Sequence, residues 1–209
     1  ALQQLTRLGV SERVALTALE QFTTTCVELT EGQYLDMSFE VRDDLTVTEY
    51  MRMIEGKTAS LIGASVAIGA HSGGSDGEQA AALQRFGRAI GLTFQIRDDI
   101  LGIWGDPKAT GKAAGNDILR RKKSLPLLYA LNHASVGDPL RSYFVQEPTQ
   151  QYLPAIMTLL EQSGARAYAE EELTAQHKIG LDALHAALGD RAEESAIYAL
   201  AEGMLRRQT

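Results

Sequence analysis

Two adjacent carboxylates, Asp98 and Asp99, stand inside FQIRDDILGIW, a run that is otherwise strongly apolar and helix-like. A carboxylate carried into an interior without a partner is very unfavourable. The chain must therefore fold so that this pair meets cations. The residues that follow offer them. A Gly-rich loop leads to Lys112, Asp117 and the basic stretch Arg120 to Lys123. Acidic groups that can share a divalent ion, with lysines close behind, suit a polyphosphate–metal complex. On a helix, Phe94 and Gln95 lie one turn before Asp98 and Asp99 and on the same face. They set an aromatic ring and an amide beside the metal. A solvated charged patch is the plainer reading of the pair, and its apolar setting weighs against that. The loop is not a P-loop, since it lacks the glycine spacing and follows no strand.

The remainder of the chain reads as helix. Aromatics are 6% of the 209 residues and prolines number five, while Ala and Leu are abundant. That balance favours helices over sheet. Ser11 is an N-cap for a helix running to about Val41, with Val14, Leu16, Leu19, Phe22, Cys26 and Leu29 as its apolar stripe. Thr46 or Thr48 caps the next helix, which carries Tyr50, Met53, Ile54, Lys57, Leu61 and Ala64. HSGGSDGE, 71–78, is a loop by composition. Further helices are expected over 79–104, 124–132, 139–144, 152–163, 165–188 and 191–206, with no strand-like alternation of useful length. The expected architecture is all-α in a single domain.

Charge and cysteine content narrow the function. A net charge of −7 excludes a general nucleic-acid binder, which needs a basic face. It does not exclude an anionic substrate, because bound Mg²⁺ reverses the local field. The single cysteine, Cys26, forms no intrachain disulfide and reads as a small core residue in a reducing cytoplasm. The longest weakly polar run, 59–70, is far short of the ~20 apolar residues of a membrane span. No signal peptide is legible.

Singly, Gln33, Asp36, Lys57 and Lys112 are weak signals, since such residues are normally exposed. Their order is specific: GQYLD (32–36), EYMRMIEGKTASL (49–61), FGRAIGLTFQIRDDILG (86–102), then GK, ND and RRKKSLP. This series resembles the trans-isoprenyl diphosphate synthases, the polyprenyl synthetase family, from about residue 12 to the C-terminus and most strongly over 31–131. The resemblance implies an isoprenoid-synthase-like helical bundle around a central cavity. It implies a Mg²⁺-dependent prenyltransferase that joins isopentenyl diphosphate head-to-tail to an allylic diphosphate. Asp98 matches the direct Mg²⁺ ligand and Asp99 its supporting carboxylate. Gly102 stands where the motif has a third Asp. Gln95 matches the glutamine facing the allylic carbocation, with Phe94 as its aromatic neighbour. Lys57, Lys112 and Lys122 match the diphosphate lysines, Thr58 the partner of Lys57, and Gln33 and Asp36 an inward-facing pair. The resemblance also implies a homodimer built through helices near the start of the chain, with Phe22, Cys26 and Leu29 in the contact.

One departure stands out. The family's first aspartate-rich motif is expected upstream of Ala1, and Asp43-Asp44 does not replace it. The expectation is that N-terminal helices are missing, that 1–209 is the C-terminal two-thirds of a synthase, and that it is inactive alone. The alternatives are a regulatory subunit of a heteromeric prenyltransferase and a class I terpene cyclase. The cyclase metal motif requires a serine where this chain has Arg120.

Overall fold

The structure, a computed structural model, describes residues 9–107, 115–145 and 149–206. All regular elements among them are helical. Helix α1 spans Glu12–Phe39, α2 Val47–Ile54, a π-helical turn Glu55–Ala59, α3 Ser60–Ser72 and α4 Gly77–Trp104. The short helices α5 (Asn116–Leu119), α6 (Leu125–Leu131) and α7 (Gly137–Ser142) follow. Then come α8 (Leu153–Gln162), α9 (Ala165–Leu188) and α10 (Ala196–Arg206).

The starts have the chemistry the sequence advertises. Ser11 Oγ accepts the Val14 N–H at the head of α1. Thr46 and Glu49 form a reciprocal capping box at α2. Asp76 Oδ1 accepts the Gln79 N–H at α4, which makes the preceding loop shorter than expected. The last helix starts later than its pattern suggests. Gly189, at φ 59, ends α9 and a 3₁₀ turn follows. Ser195 Oγ then accepts the Tyr198 N–H at the start of α10.

Helix α4 is the axis of the molecule, with α3 and α9 packed along it. It buries residues on nearly every side, among them Leu83, Phe86, Ile90, Ile96, Ile100 and Ile103. One end meets α9 and α10 through Leu184 and Ala201. The other meets Tyr50, Ile54, Leu125, Leu128, Leu140, Ile156 and Leu160. Phe94 and Leu101 of the same helix are half-buried.

Two expectations about buried faces change. In α1 the buried residues are Ala18, Thr25, Gly32 and Phe39, seven apart. The larger side chains Leu16 and Leu19 are exposed. Cys26 is exposed as well and is not a core residue. The reason lies at Gly32, where a Cβ would sit 2.2 Å from the Lys57 backbone nitrogen. The helix meets the π-turn backbone to backbone, and only its small-residue face permits that approach. In the second helix, the Ser60 N–H bonds the Glu55 carbonyl, five residues back. That extra residue in the turn rotates everything after it by roughly 100°. Gly63, Ala64 and Ala67 therefore face inward, and Leu61 faces out.

Gly32→Ala tests this packing. In an ordinary helix interior the change stabilises by ~0.5–1 kcal/mol. Here it should destabilise by about 3 kcal/mol, a Tm loss of roughly 6–12 °C, because two backbones must separate. Thermal unfolding followed by circular dichroism reads the sign directly, and an unchanged or raised Tm contradicts the close approach.

Candidate active site

A cavity of about 610 Å³ opens between the end of α1, the α2–π-turn segment, α4 and the 117–123 segment. Phe39, Tyr50, Met53 and Ile54 give it an apolar wall. Its charged lining is basic in balance: Lys57, Arg120, Arg121, Lys122 and Lys123 against Asp36, Glu40 and Asp117. The cavity therefore suits an anion although the chain as a whole carries −7.

Asp99 underlies this wall. It is fully buried. The Tyr50 hydroxyl and the Leu125 N–H both donate to Oδ2, the latter at 2.9 Å. Lys122 Nζ donates to Oδ1 at 3.1 Å, and Gln95 Nε2 approaches it at 3.4 Å. Burial pushes the carboxyl above its usual range, and Lys122 with these hydrogen bonds opposes the shift. Burial, reinforced by Asp99, pushes the Tyr50 phenol well above its usual value, so it stays a donor.

Lys122 is the junction of the site. Its ammonium lies 3.0 Å from Asp117, 3.1 Å from Asp99 and 3.4 Å from Asp98. Burial pulls its pKa down, but Asp99 and Asp117 outweigh that and raise it above the ordinary lysine value. Across the cavity, Lys57 Nζ lies 2.6 Å from Asp36 of α1. The Thr58 hydroxyl donates to Gln95 Oε1 at 3.2 Å, tying the π-turn to α4.

The expected residues fall out as follows. Asp36, Lys57, Gln95 and Lys122 line the cavity. Thr58 and Asp98 join it through Gln95 and Lys122. Asp98, at 46% exposed, keeps free surface that buried Asp99 lacks. Phe94 is half-buried beside Gln95, whereas Gln33 is exposed and outside the lining. Lys112 lies outside the described residues. Tyr50 was not singled out for a role by its sequence context. Asp117 was named between Lys112 and the basic run and in the ND of the motif series, without a role of its own. Among the described residues no three metal-ligating side chains are placed to hold an ion by themselves. Half-exposed Asp98 fits Mg²⁺ only in a shell shared with water and substrate phosphate, which is how that ion is commonly held.

Comparisons with known proteins agree with one another. The family model described as polyprenyl synthetase matches residues 1–159. A geranylgeranyl diphosphate synthase of Mycobacterium tuberculosis is 38% identical over 200 residues, covering 94% of this chain and 56% of the relative. A (2E,6E)-farnesyl diphosphate synthase of Mycobacterium bovis is 40% identical over 171 residues, 79% of this chain and 48% of that one. The chain thus spans about half the length of the curated relatives it matches. A polyprenyl synthetase structure from Streptomyces coelicolor superposes with TM-score 0.88 at 34% identity, over 98% of this chain and 62% of the other. A geranylgeranyl pyrophosphate synthase from Corynebacterium glutamicum, solved with isoprenyl diphosphate and magnesium, gives TM-score 0.83 at 27% identity, over 95% and 57%. The helical architecture around α4 is the one these synthases share.

The buried Tyr50–Asp99 contact carries a prediction. Tyr50→Phe should cost about 1–3 kcal/mol, because it leaves a buried carboxylate short of a donor. The loss should depend on pH. Burial raises the folded-state pKa of Asp99. A group raised in this way contributes stability at low pH that is lost as pH rises through its folded value. Removing the Tyr50 donor raises that value further, so the deficit should grow as pH rises above the ordinary carboxylate range and level off once the carboxyl is ionised in the variant too. Urea denaturation followed across pH upward from about 4 measures it, and a deficit that nowhere grows with pH would count against a hydrogen bond to the carboxylate form.

Proposed function

The chain belongs to the polyprenyl synthetase family, and from that premise we propose that the whole protein elongates prenyl chains. It would condense isopentenyl diphosphate head-to-tail with an allylic diphosphate. One observation carries the reading: a single cavity draws Lys57, Gln95 and Lys122 from three separate segments, each already matched to a carboxylate or hydroxyl partner.

The chemistry follows from those groups. When the allylic C–O bond breaks, negative charge gathers on the departing diphosphate. Lys57 and Lys122, on two sides of the cavity, would bind that charge more strongly in the transition state than in the ground state. Lys112, as the resemblance implies, would be a third such cation. Gln95 and Thr58 would turn oxygen dipoles toward the allylic cation, with Phe94 as an aromatic neighbour. The apolar wall of Phe39, Met53 and Ile54 would keep water from quenching it. The double bond of isopentenyl diphosphate then attacks C1, and the proton lost from the adjacent carbon goes to an oxygen of the departing diphosphate. Mg²⁺, when bound with the diphosphate, supplies further neutralisation of the leaving group. Asp98 would hold it, with Asp99 fixing Lys122 beneath. The Corynebacterium glutamicum relative, solved with isoprenyl diphosphate and magnesium, supports the pairing of this ion with a prenyl diphosphate.

The same reading includes a homodimer. Helix α1 exposes Leu16, Leu19, Val27, Tyr34 and Met37. An apolar stripe of that length is unfavourable to leave in water and suits a second copy of the protein.

The test is product formation. Full-length protein incubated with Mg²⁺, labelled isopentenyl diphosphate and an allylic primer should yield a longer labelled prenyl diphosphate. Asp98→Ala should lower turnover by about 10²–10⁴-fold with the fold intact. Absence of product with every primer would remove the proposed reaction, and near-normal turnover of the variant would remove Asp98 from it.

A further inference from the structure

Gly102 lies three and four residues after Asp99 and Asp98, on the same face of α4. A Cβ built there would fall 2.1 Å from Asp117 Oδ2 and 2.4 Å from its Cγ. The volume that any other side chain would take at 102 is thus filled by the Asp117 carboxylate. That carboxylate is nearly buried, at 9% exposed, and bonds Lys122 Nζ at 3.0 Å. The main chain of the same residue holds the same lysine, since the Lys122 N–H donates to the Asp117 carbonyl at 2.9 Å. The Arg121 N–H donates to the Ile118 carbonyl at 2.9 Å. Together these two bonds close α5 in the pattern that needs a left-handed residue next to its end. Arg121 fills that place with φ 55, a conformation that favours glycine. The turn therefore folds the chain sharply back, and the effect is to return Lys122 to the side chain five residues before it.

We propose that Asp117 is a positioning residue that sits in the gap left by Gly102 and fixes the Lys122 ammonium between the α4 carboxylates and the cavity. Gly102 and Asp117 work as a matched pair: the carboxylate needs the space, and the glycine supplies it. Asp117 makes its contribution through Lys122, without touching substrate. The inference rests on the reading of the cavity as a diphosphate site.

The experiment uses full-length protein and a double-mutant cycle. Steady-state constants for the allylic diphosphate are compared among wild type, Asp117→Asn, Lys122→Met, the double variant and Gly102→Ala. Asp117→Asn should raise KM about tenfold and lower kcat as well, since Lys122 also meets the charge that develops on the leaving group. It should add nothing in the Lys122→Met background, because its effect passes through that lysine. Gly102→Ala should reproduce the rise in KM, and it should lower the Tm as well, because its Cβ must push aside a nearly buried, paired carboxylate. Two results overturn the proposal: an equal KM factor for Asp117→Asn with and without Lys122, or an unchanged KM in Gly102→Ala. Absence of turnover in the wild type would instead count against the reaction assigned above. The same cycle is then read from calorimetric binding of inorganic diphosphate with Mg²⁺. Additivity there again overturns the Asp117–Lys122 coupling, and so does a wild type that binds no diphosphate.

Discussion

The burial of Asp99 in the central helix is the constraint on which the rest of the site depends. An ionised carboxylate at zero exposure demands donors from every side. It takes them from Tyr50 on α2, from the Leu125 N–H at the head of α6 and from Lys122 before it. Each bond fixes a different segment against α4. Replacing Asp99 together with its donors by well-packed apolar residues would avoid the desolvation penalty and is often neutral or stabilising, whereas removing Asp99 alone would strand Lys122 and the Leu125 N–H. The arrangement makes sense less as a source of stability than as a way of holding one lysine and one open carboxylate, Asp98, at a cavity.

The opposite wall depends on a different device. The π-turn at Glu55–Ala59 widens the backbone by one residue where α1 approaches it at Gly32. That insertion sets Lys57 toward Asp36 and Thr58 toward Gln95, while the helices on either side bury their apolar residues in different registers. A regular helix through this segment would follow a single phase. It would have to choose between burying Tyr50 and Ile54 before the turn and Gly63 and Ala67 after it.

What could be read from the sequence divides along the same line. Local chemistry was legible: the caps at Ser11 and Thr46 follow from side chains bonding their own neighbourhood, and the span of α9 from the left-turning glycines at 164 and 189 that bound it. So was the order of motifs that put Asp36, Lys57, Gln95 and Lys122 forward as a set, and one cavity gathers these four. Features arising from backbone meeting backbone were not legible. The small-residue face of α1, the outward turn of Cys26 and the π-turn all follow from the contact at Gly32, which leaves no periodic trace. Asp117 was hidden for a related reason. Its partner Gly102 declares itself in sequence only as a missing side chain, and the carboxylate that fills the gap lies fifteen residues further on.

The cations of the cavity are engaged before any substrate arrives, and this bears on what can bind. Lys57 is held by Asp36, and Lys122 by Asp98, Asp99 and Asp117. An anion entering here must displace carboxylates that are already desolvated and well placed. A single-charge anion offers each ammonium no more than it has, and gives up its own hydration. A diphosphate is different. Its several charges can engage both lysines across the cavity at once, and its oxygens can complete the shell of a cation at Asp98. Asp98, half-exposed and only loosely held by Lys122, would then be free for such a cation, while buried Asp99 and Asp117 stay on the lysine. On the proposed reading, pairing lysines with aspartates in the resting site would set a threshold favouring polyanions that arrive with metal, in a chain whose overall charge is negative.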